Sequence, residues 1–353
     1  MLTINYTPHE YTFTPDLPSE IDISTDAASV DINVECGGNT AFNTTLYPYK
    51  GHATFYDIRS VIESYMLQNN LVFVNFVIMA EVTKDEYVNT KECTIIFSRL
   101  NIGRNNASFF FQSYFLTTLS SFVIPRDGFQ FLTFLVFPNR TLSSYTECLV
   151  LVDGESKPRV IRLTDPNVVT TGVFSQFSVN VSPANIMARM NIKGKLLQFT
   201  LHRGSLSKTF YVMDSAPNLT LQVRNEFNCF EFIQLTCITK RKLDLDRSTA
   251  TCLGKSTFYD DKSVYEYEVE SSMLTYEQAE HYSQLLLSHV VNIIESNGGS
   301  IPIIITDISG EISDADNATN SIKFKYKYSS HHFPITIDYG NNIFDDPFYR
   351  TFD

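Results

Sequence analysis

The chain has 353 residues and a net charge of −12; 43% of residues are apolar and 19% charged, with 28 Phe, 19 Tyr and no Trp. So aromatic and weakly charged a composition excludes extended disorder, and 14 Gly with 13 Pro exclude a fibrous or low-complexity chain. An acidic field repels phosphate, so a nucleic-acid partner is not expected.

The first residues, Met1-Leu2-Thr3-Ile4-Asn5-Tyr6-Thr7, carry no basic segment followed by an apolar run, so they do not read as a secretory signal. The expectation is a chain made in a cytoplasm, with its six cysteines reduced and acting as small apolar residues. Its N-x-S/T sequons then imply no glycan. Val30, Ile32 and Val34 alternate with polar residues and run into Gly37-Gly38-Asn39, which predicts a hairpin, because glycine accepts the positive φ of a tight turn. Over 57–66 the period changes. Ile58, Val61, Ile62, Tyr65 and Met66 form a helical stripe, with Asp57 placed as N-cap. The apolar runs 71–80 and 129–137 are about half a bilayer span, so no membrane span is expected, and both read as strands buried on two faces.

The polar, turn-rich stretch 153–158 is the expected domain boundary. Beyond it, period two returns in Phe177/Val179/Val181, in Leu197/Phe199/Leu201 with a turn at Gly204, and in Leu219/Leu221/Val223. Tyr265, Tyr267 and Val269 alternate with Glu266, Glu268 and Glu270; Phe324, Tyr326 and Tyr328 alternate with Lys323, Lys325 and Lys327. The two charged rows are expected on one sheet face, on paired or adjacent strands, because opposite charges across a strand pair attract. Over 275–287 a second helix is predicted, with Thr275 and Gln278 as a capping box and Leu274 as a staple. A hairpin follows around Ser296-Asn297-Gly298-Gly299-Ser300. The predicted architecture is mainly β: two antiparallel sandwich- or barrel-like domains, 1–155 and 156–335, each with one short helix, then an extended arm, 336–353. The arm has no regular period. Tyr339, Phe344, Phe348, Tyr349 and Phe352 are costly to leave in water, so it is expected to dock on protein.

Catalytic patterns are missing. There is no glycine-rich phosphate loop and no nucleophile elbow; Gly204-Ser205-Leu206-Ser207-Lys208 lacks the second glycine. His331-His332 would point to opposite faces of a strand and not converge on a metal. Asp314-Ala315-Asp316-Asn317 lacks the later ligands of a calcium loop and reads as a solvated turn. Lys240-Arg241-Lys242 reads as a hairpin tip. Neither an enzyme nor a cofactor or metal site is expected.

Two groups of residues carry a resemblance. One is Thr45-Leu46-Tyr47-Pro48, Gly51 and Thr54-Phe55-Tyr56-Asp57-Ile58-Arg59. The other is Phe227-Asn228-Cys229, Gly254-Lys255-Ser256-Thr257-Phe258-Tyr259, Leu274-Thr275-Tyr276-Glu277-Gln278-Ala279 and Ile303-Ile304-Ile305-Thr306-Asp307. Together they resemble virion structural proteins, of tail or baseplate type, of phages and prophages of gut Bacteroidales. The resemblance is one of texture along most of the chain and assigns no residue a role. It implies a virion location, identical copies in a ring around a tail axis, and other virion proteins as partners. A carbohydrate- or receptor-binding β-module is the alternative, and it requires an exposed aromatic platform or a bound cation.

Overall fold

The computed structural model describes residues 2–82, 87–100, 102, 107–252, 254–295, 298–310, 312–314 and 319–329. The protein is mainly β, in sheets that are largely antiparallel. The arm 336–353, with Tyr339, Phe344, Phe348, Tyr349 and Phe352, lies outside the described residues, as do His331 and His332 and all but Asp314 of the 314–317 turn.

The chain begins with β1 (Leu2–Ile4), β2 (Tyr11–Phe13), β3 (Glu20–Thr25), β4 (Val30–Cys36), β5 (Asn39–Leu46), β6 (His52–Tyr56), α1 (Ile58–Gln68), β7 (Phe73–Val82) and β8 (Tyr87–Ile96). A five-stranded sheet, β2-β8-β7-β4-β5, and a three-stranded one, β1-β3-β6, share one core. Ile21, Ile23, Val34, Phe76 and Ile95 meet Ile58, Ile62 and Met66 of α1 there. The β4–β5 hairpin turns at Gly37 and Gly38, both at positive φ, as predicted. Asp57 does precede α1 but makes no side-chain cap: its φ is 58° and it lies in the left-handed region. β7 corrects the reading of 71–80 as buried on both faces. Val74, Phe76, Ile78 and Ala80 are buried, whereas Asn75 and Glu81 are exposed.

Next come α2 (Ala107–Ser113), β9 (Ser121–Pro125), β10 (Gln130–Val136), β11 (Thr141–Val152), β12 (Arg159–Val169), β13 (Ser175–Val181), α3 (Pro183–Met190), β14 (Gly194–Arg203) and β15 (Leu206–Met213). The sheet β12-β11-β14-β15-β9 packs on the β10-β13 pair. Here 129–137 behaves as predicted, since every residue of β10 except Phe131 is buried. The stretch 153–158, expected as a boundary between domains, is the turn of a hairpin, with β11 and β12 paired from Val150↔Arg159 to Thr141↔Val169. Polar turn residues mark hairpin ends as readily as linkers. A bulge between Leu149 and Val150 shifts the β11–β14 register, so Leu196, rather than Leu197, joins Phe199 and Leu201 inside.

The last elements are β16 (Leu219–Arg224), β17 (Phe230–Leu235), β18 (Cys237–Cys252), β19 (Lys255–Ser271), α4 (Tyr276–Leu285), β20 (Val291–Ile294), β21 (Ser300–Ser309) and β22 (Lys323–Tyr328). They form a seven-stranded sheet, β17-β16-β20-β21-β22-β19-β18, whose buried face packs against Ala279, Tyr282 and Leu285 of α4. The capping box of α4 is present, with Thr275 accepting from the Gln278 N–H and Gln278 from the Thr275 N–H.

A further cluster joins the three regions: Phe13 and Ile96 from the first, Phe111 and Leu135 from the second, Phe227 and Cys229 from the third. The expectation of one helix per domain is replaced by four described helices. α3 exceeds two turns and was not foreseen, although Ser182-Pro183 is a helix start and Asn191, at φ 51°, a left-handed stop. Two edge pairings, β2 with β8 and β9 with β15, are parallel.

Candidate functional site

The strongest cluster of chemistry lies where the three regions meet. The turn between β16 and β17 folds around Asn225, whose side-chain oxygen accepts from the N–H groups of Phe227 and Cys229 at 3.0 Å each. The same residue's amide donates to Leu116 O at 2.7 Å and to Glu231 Oε1 at 2.6 Å. Arg224 and Asn228 reach back to the first region, donating to Asn70 Oδ1 at 3.1 Å and Leu71 O at 2.9 Å. Glu231, 2% exposed, meets His281 of α4 at 2.8 Å, and the other imidazole nitrogen meets the exposed Thr118 hydroxyl at 2.8 Å. With the proton on Nε2, His281 donates to Glu231 and accepts from Thr118, so every group is satisfied. Burial pushes the Glu231 carboxyl up, but His281, Asn225 and Thr117 outweigh it and hold the group below the ordinary glutamate value.

Hydroxyl, imidazole and buried carboxylate in series are the order of an activated nucleophile. The surroundings oppose that use. The adjoining pocket, about 340 Å³, is lined by Glu277 and Glu280 as well as Thr118, Ser120 and His281. Acyl transfer develops negative charge on oxygen and requires donors there, not carboxylates. Ser120 is itself bonded to Glu277 at 2.7 Å. Thiol chemistry is disfavoured too, because burial raises Cys36 to about 11 and Cys93 and Cys148 to about 12. Cys36, Cys93, Cys148, Cys229 and Cys237 are free and buried, as expected of small apolar residues. The cluster is suited to fastening α4 to the 114–120 loop and both to the first region. Sequence reasoning missed it because its members are far apart in the chain.

The second region has its own fastening. Asp165 of β12, buried, accepts from Thr146 at 2.7 Å, Arg203 at 2.9 Å and Arg189 of α3 at 2.6 Å. Burial raises its pKa; Thr146, Arg189 and Arg203 outweigh that and leave it below the ordinary aspartate value.

The charged rows foreseen in the sequence do lie on paired strands, with Glu270↔Lys323 and Glu268↔Lys325 in register. Lys323 meets Glu270 at 2.9 Å, and Lys327 lies 3.7 Å from Glu266. Lys325 instead meets Asp307 at 3.2 Å. Lys240-Arg241-Lys242, read as a hairpin tip, is inside β18, with Lys240 opposite Glu268 and Lys242 opposite Glu266. The glutamate row is thus flanked by lysines on both sides. A reciprocal charge reversal is therefore cleanest at Glu270 and Lys323, whose other cross-strand neighbours are the uncharged Ile238 and Ser309. Glu270→Lys and Lys323→Glu alone should each lower the denaturant midpoint, and the double variant should recover most of the loss. Equal losses in all three would show that the pair contributes nothing.

Beyond those rows the sheet continues as a bare ribbon. β18 and β19 pair with one another as far as Cys252↔Lys255, whereas β19 meets β22 only over Tyr267–Glu270. Residues 243–252 and 255–265 have no third strand among the described residues, a ribbon on the order of 30 Å long.

Exposed rings are present but scattered. Tyr47 and Tyr49 are 78% and 75% exposed beside the start of β6, while Tyr56 closes that strand, roughly 13 Å away. Among the described residues, no group of three or more His, Cys, Asp or Glu could hold a metal ion, and no helix is long and apolar enough to cross a membrane.

No family model and no curated protein matches the chain. Among solved structures it is similar to a chain in the tail of an empty gene transfer agent particle with C6 symmetry, with 13% identity over 32% of this chain and 91% of that one, TM-score 0.22. It is also similar to a chain of the virion of a native gene transfer agent particle, with 13% identity over 32% of this chain and 92% of that one, TM-score 0.23.

Proposed function

We propose that the protein is a non-enzymatic structural component of a phage-like virion, in its tail, neck or baseplate. It acts through contacts with identical copies set in a ring and with other virion proteins. The observation that carries this reading is the β18–β19 ribbon. A two-stranded ribbon is marginally stable alone, and its unpaired backbone edges are templates for another chain. A projection of this length, based on a sheet with interlocked charge rows and fastened to the other regions by Glu231 and His281, is suited to bridging neighbouring subunits. The net charge of −12 argues against contact with the packaged nucleic acid. Scattered tyrosines, rather than one platform, give the carbohydrate-binding alternative no specific support.

Replacing residues 244–264 by a two-residue Asn-Gly turn tests the reading, since the excised part pairs only with itself among the described residues. The shortened chain should keep its circular dichroism and melting profile but lose self-association, measured as molar mass by light scattering. A wild-type chain that stays monomeric at millimolar concentration would overturn a ring-forming role.

A further inference from the structure

β21 is an interior strand for only part of its length. β22 accompanies it from Ile303↔Tyr328 to Ser309↔Lys323, but on its other side β20 pairs only with Ser300 to Ile303. Among the described residues, 304–309 therefore present a free backbone edge on that side. The chain entering β20 runs alongside, and between them lies a groove of about 600 Å³. Leu287, 66% exposed, and Ile304, 55% exposed, stand in its lining with the half-buried Ile305 and Ile308. A free strand edge beside an apolar groove accepts an extended peptide, whose backbone pairs with the edge while its side chains fill the groove.

We propose that this groove receives the carboxyl-terminal segment, 336–353, of a second copy of the chain; the inference rests on the structural virion reading and names one of its contacts. The composition of the segment fits, because Tyr339, Ile343, Phe344, Phe348, Tyr349 and Phe352 are apolar or aromatic. The place where the described chain stops selects the second copy. Ser329 donates both its N–H and its hydroxyl to Pro302 O, at 3.1 Å each, so the chain leaves on the β22 side of β21. The groove opens on the opposite side, past the β20–β21 pairing. A chain filling its own groove must cross the sheet and reverse, whereas a neighbour's segment enters along the open edge. Extended, 330–353 spans on the order of 80 Å, ample to reach an adjacent copy.

A synthetic 336–353 peptide, a chain ending at residue 335, and Ile304→Asp and Leu287→Asp variants of that chain test the proposal. Ile304 and Leu287 are exposed, so the fold should tolerate both changes. The peptide should bind the shortened chain and lose at least about tenfold in affinity for either variant. In the full-length chain, Ile304→Asp should weaken self-association without changing the melting profile, which keeps the test valid if the shortened chain fails to fold. A copy carrying Leu287→Cys, mixed with a tagged copy carrying Phe348→Cys, should form a disulfide between the two. Peptide that does not bind, Ile304→Asp chains that associate normally, or a cross-link found only within one chain carrying both cysteines would each overturn the proposal. If ribbon-dependent association persists without peptide binding, the arm contact falls and the structural virion reading stands. A full-length chain that stays monomeric, while the shortened chain still binds the peptide, sinks both, since the segment then fills the groove of its own chain.

Discussion

Replacing Asp165 by alanine should destabilise the protein by about 3–5 kcal/mol, the range for removing one partner of a buried ion pair. The loss arises from what remains. Arg203 is 6% exposed and would keep its charge with no carboxylate beside it, and Thr146 would lose its acceptor. Arg189→Ala should cost less, because that side chain is 46% exposed and water replaces part of the contact. The charge is separable from the shape by Asp165→Asn, through pH. The folded-state pKa of Asp165 lies below the ordinary value. Its contribution is therefore present above the unfolded value of about 3.9 and lost as pH falls through the folded value. The gap between wild type and Asp165→Asn, read from urea midpoints, should be widest near neutrality and narrow below about pH 4. A gap that stays constant down to pH 3, or equal losses for Asp165→Ala and Arg189→Ala, would show that the cluster does not act as a buried ion network.

Glu231→Gln should be similarly damaging, at about 3 kcal/mol or more, since hydrogen bonds to a buried charge are the strong ones. Glutamine offers one acceptor oxygen and one donor where Glu231 accepts from both His281 and Asn225, so the buried charge is lost and His281 must switch tautomer, accepting at Nε2 and donating to Thr118 from Nδ1. Buried Lys208, which donates to Leu119 O and whose charged form Glu231 favours, also loses that support. The loss should be local. Hydrogen exchange should quicken in α4 and in residues 114–120, which the His281–Thr118 contact joins, while β4 and β7 stay protected. A double-mutant cycle with His281→Gln should give a coupling of about 0.5–3 kcal/mol. The sign with pH follows that of Asp165: the Glu231 contribution is present above the ordinary glutamate value of about 4.3 and disappears on acidification below it. Additive losses, or faster exchange spread over all three regions, would refute a local fastening.

Local patterns were legible wherever one strand face or one helix stripe is dry and the other wet. The Gly37-Gly38 turn, α1, α4 with its Thr275–Gln278 box and the opposed rows of Glu270 and Lys323 follow from periods of two and 3.6 residues. Even α3 carried its signal, a Ser-Pro start and Pro183, Ile186 and Met190 along its buried side. Charge alone did not distinguish a hairpin tip from a strand for Lys240-Arg241-Lys242, because lysines are equally solvated at a tip and on an exposed sheet face. Nor did polarity distinguish a linker from the β11–β12 turn at 153–158, since both need groups that water can satisfy.

The mainly β character, the alternating faces of the strands and the position of two helices are local properties, because each depends on residues within a few positions of one another. Which strands share a sheet, the succession of three hydrophobic cores along the chain, and the convergence of Thr118, Asn225, Glu231 and His281 instead depend on contacts between residues far apart in sequence. Thr118 and His281 are 163 positions apart. Contacts at that separation leave no local period, and a buried glutamate is told from a solvated one only by the folds around it.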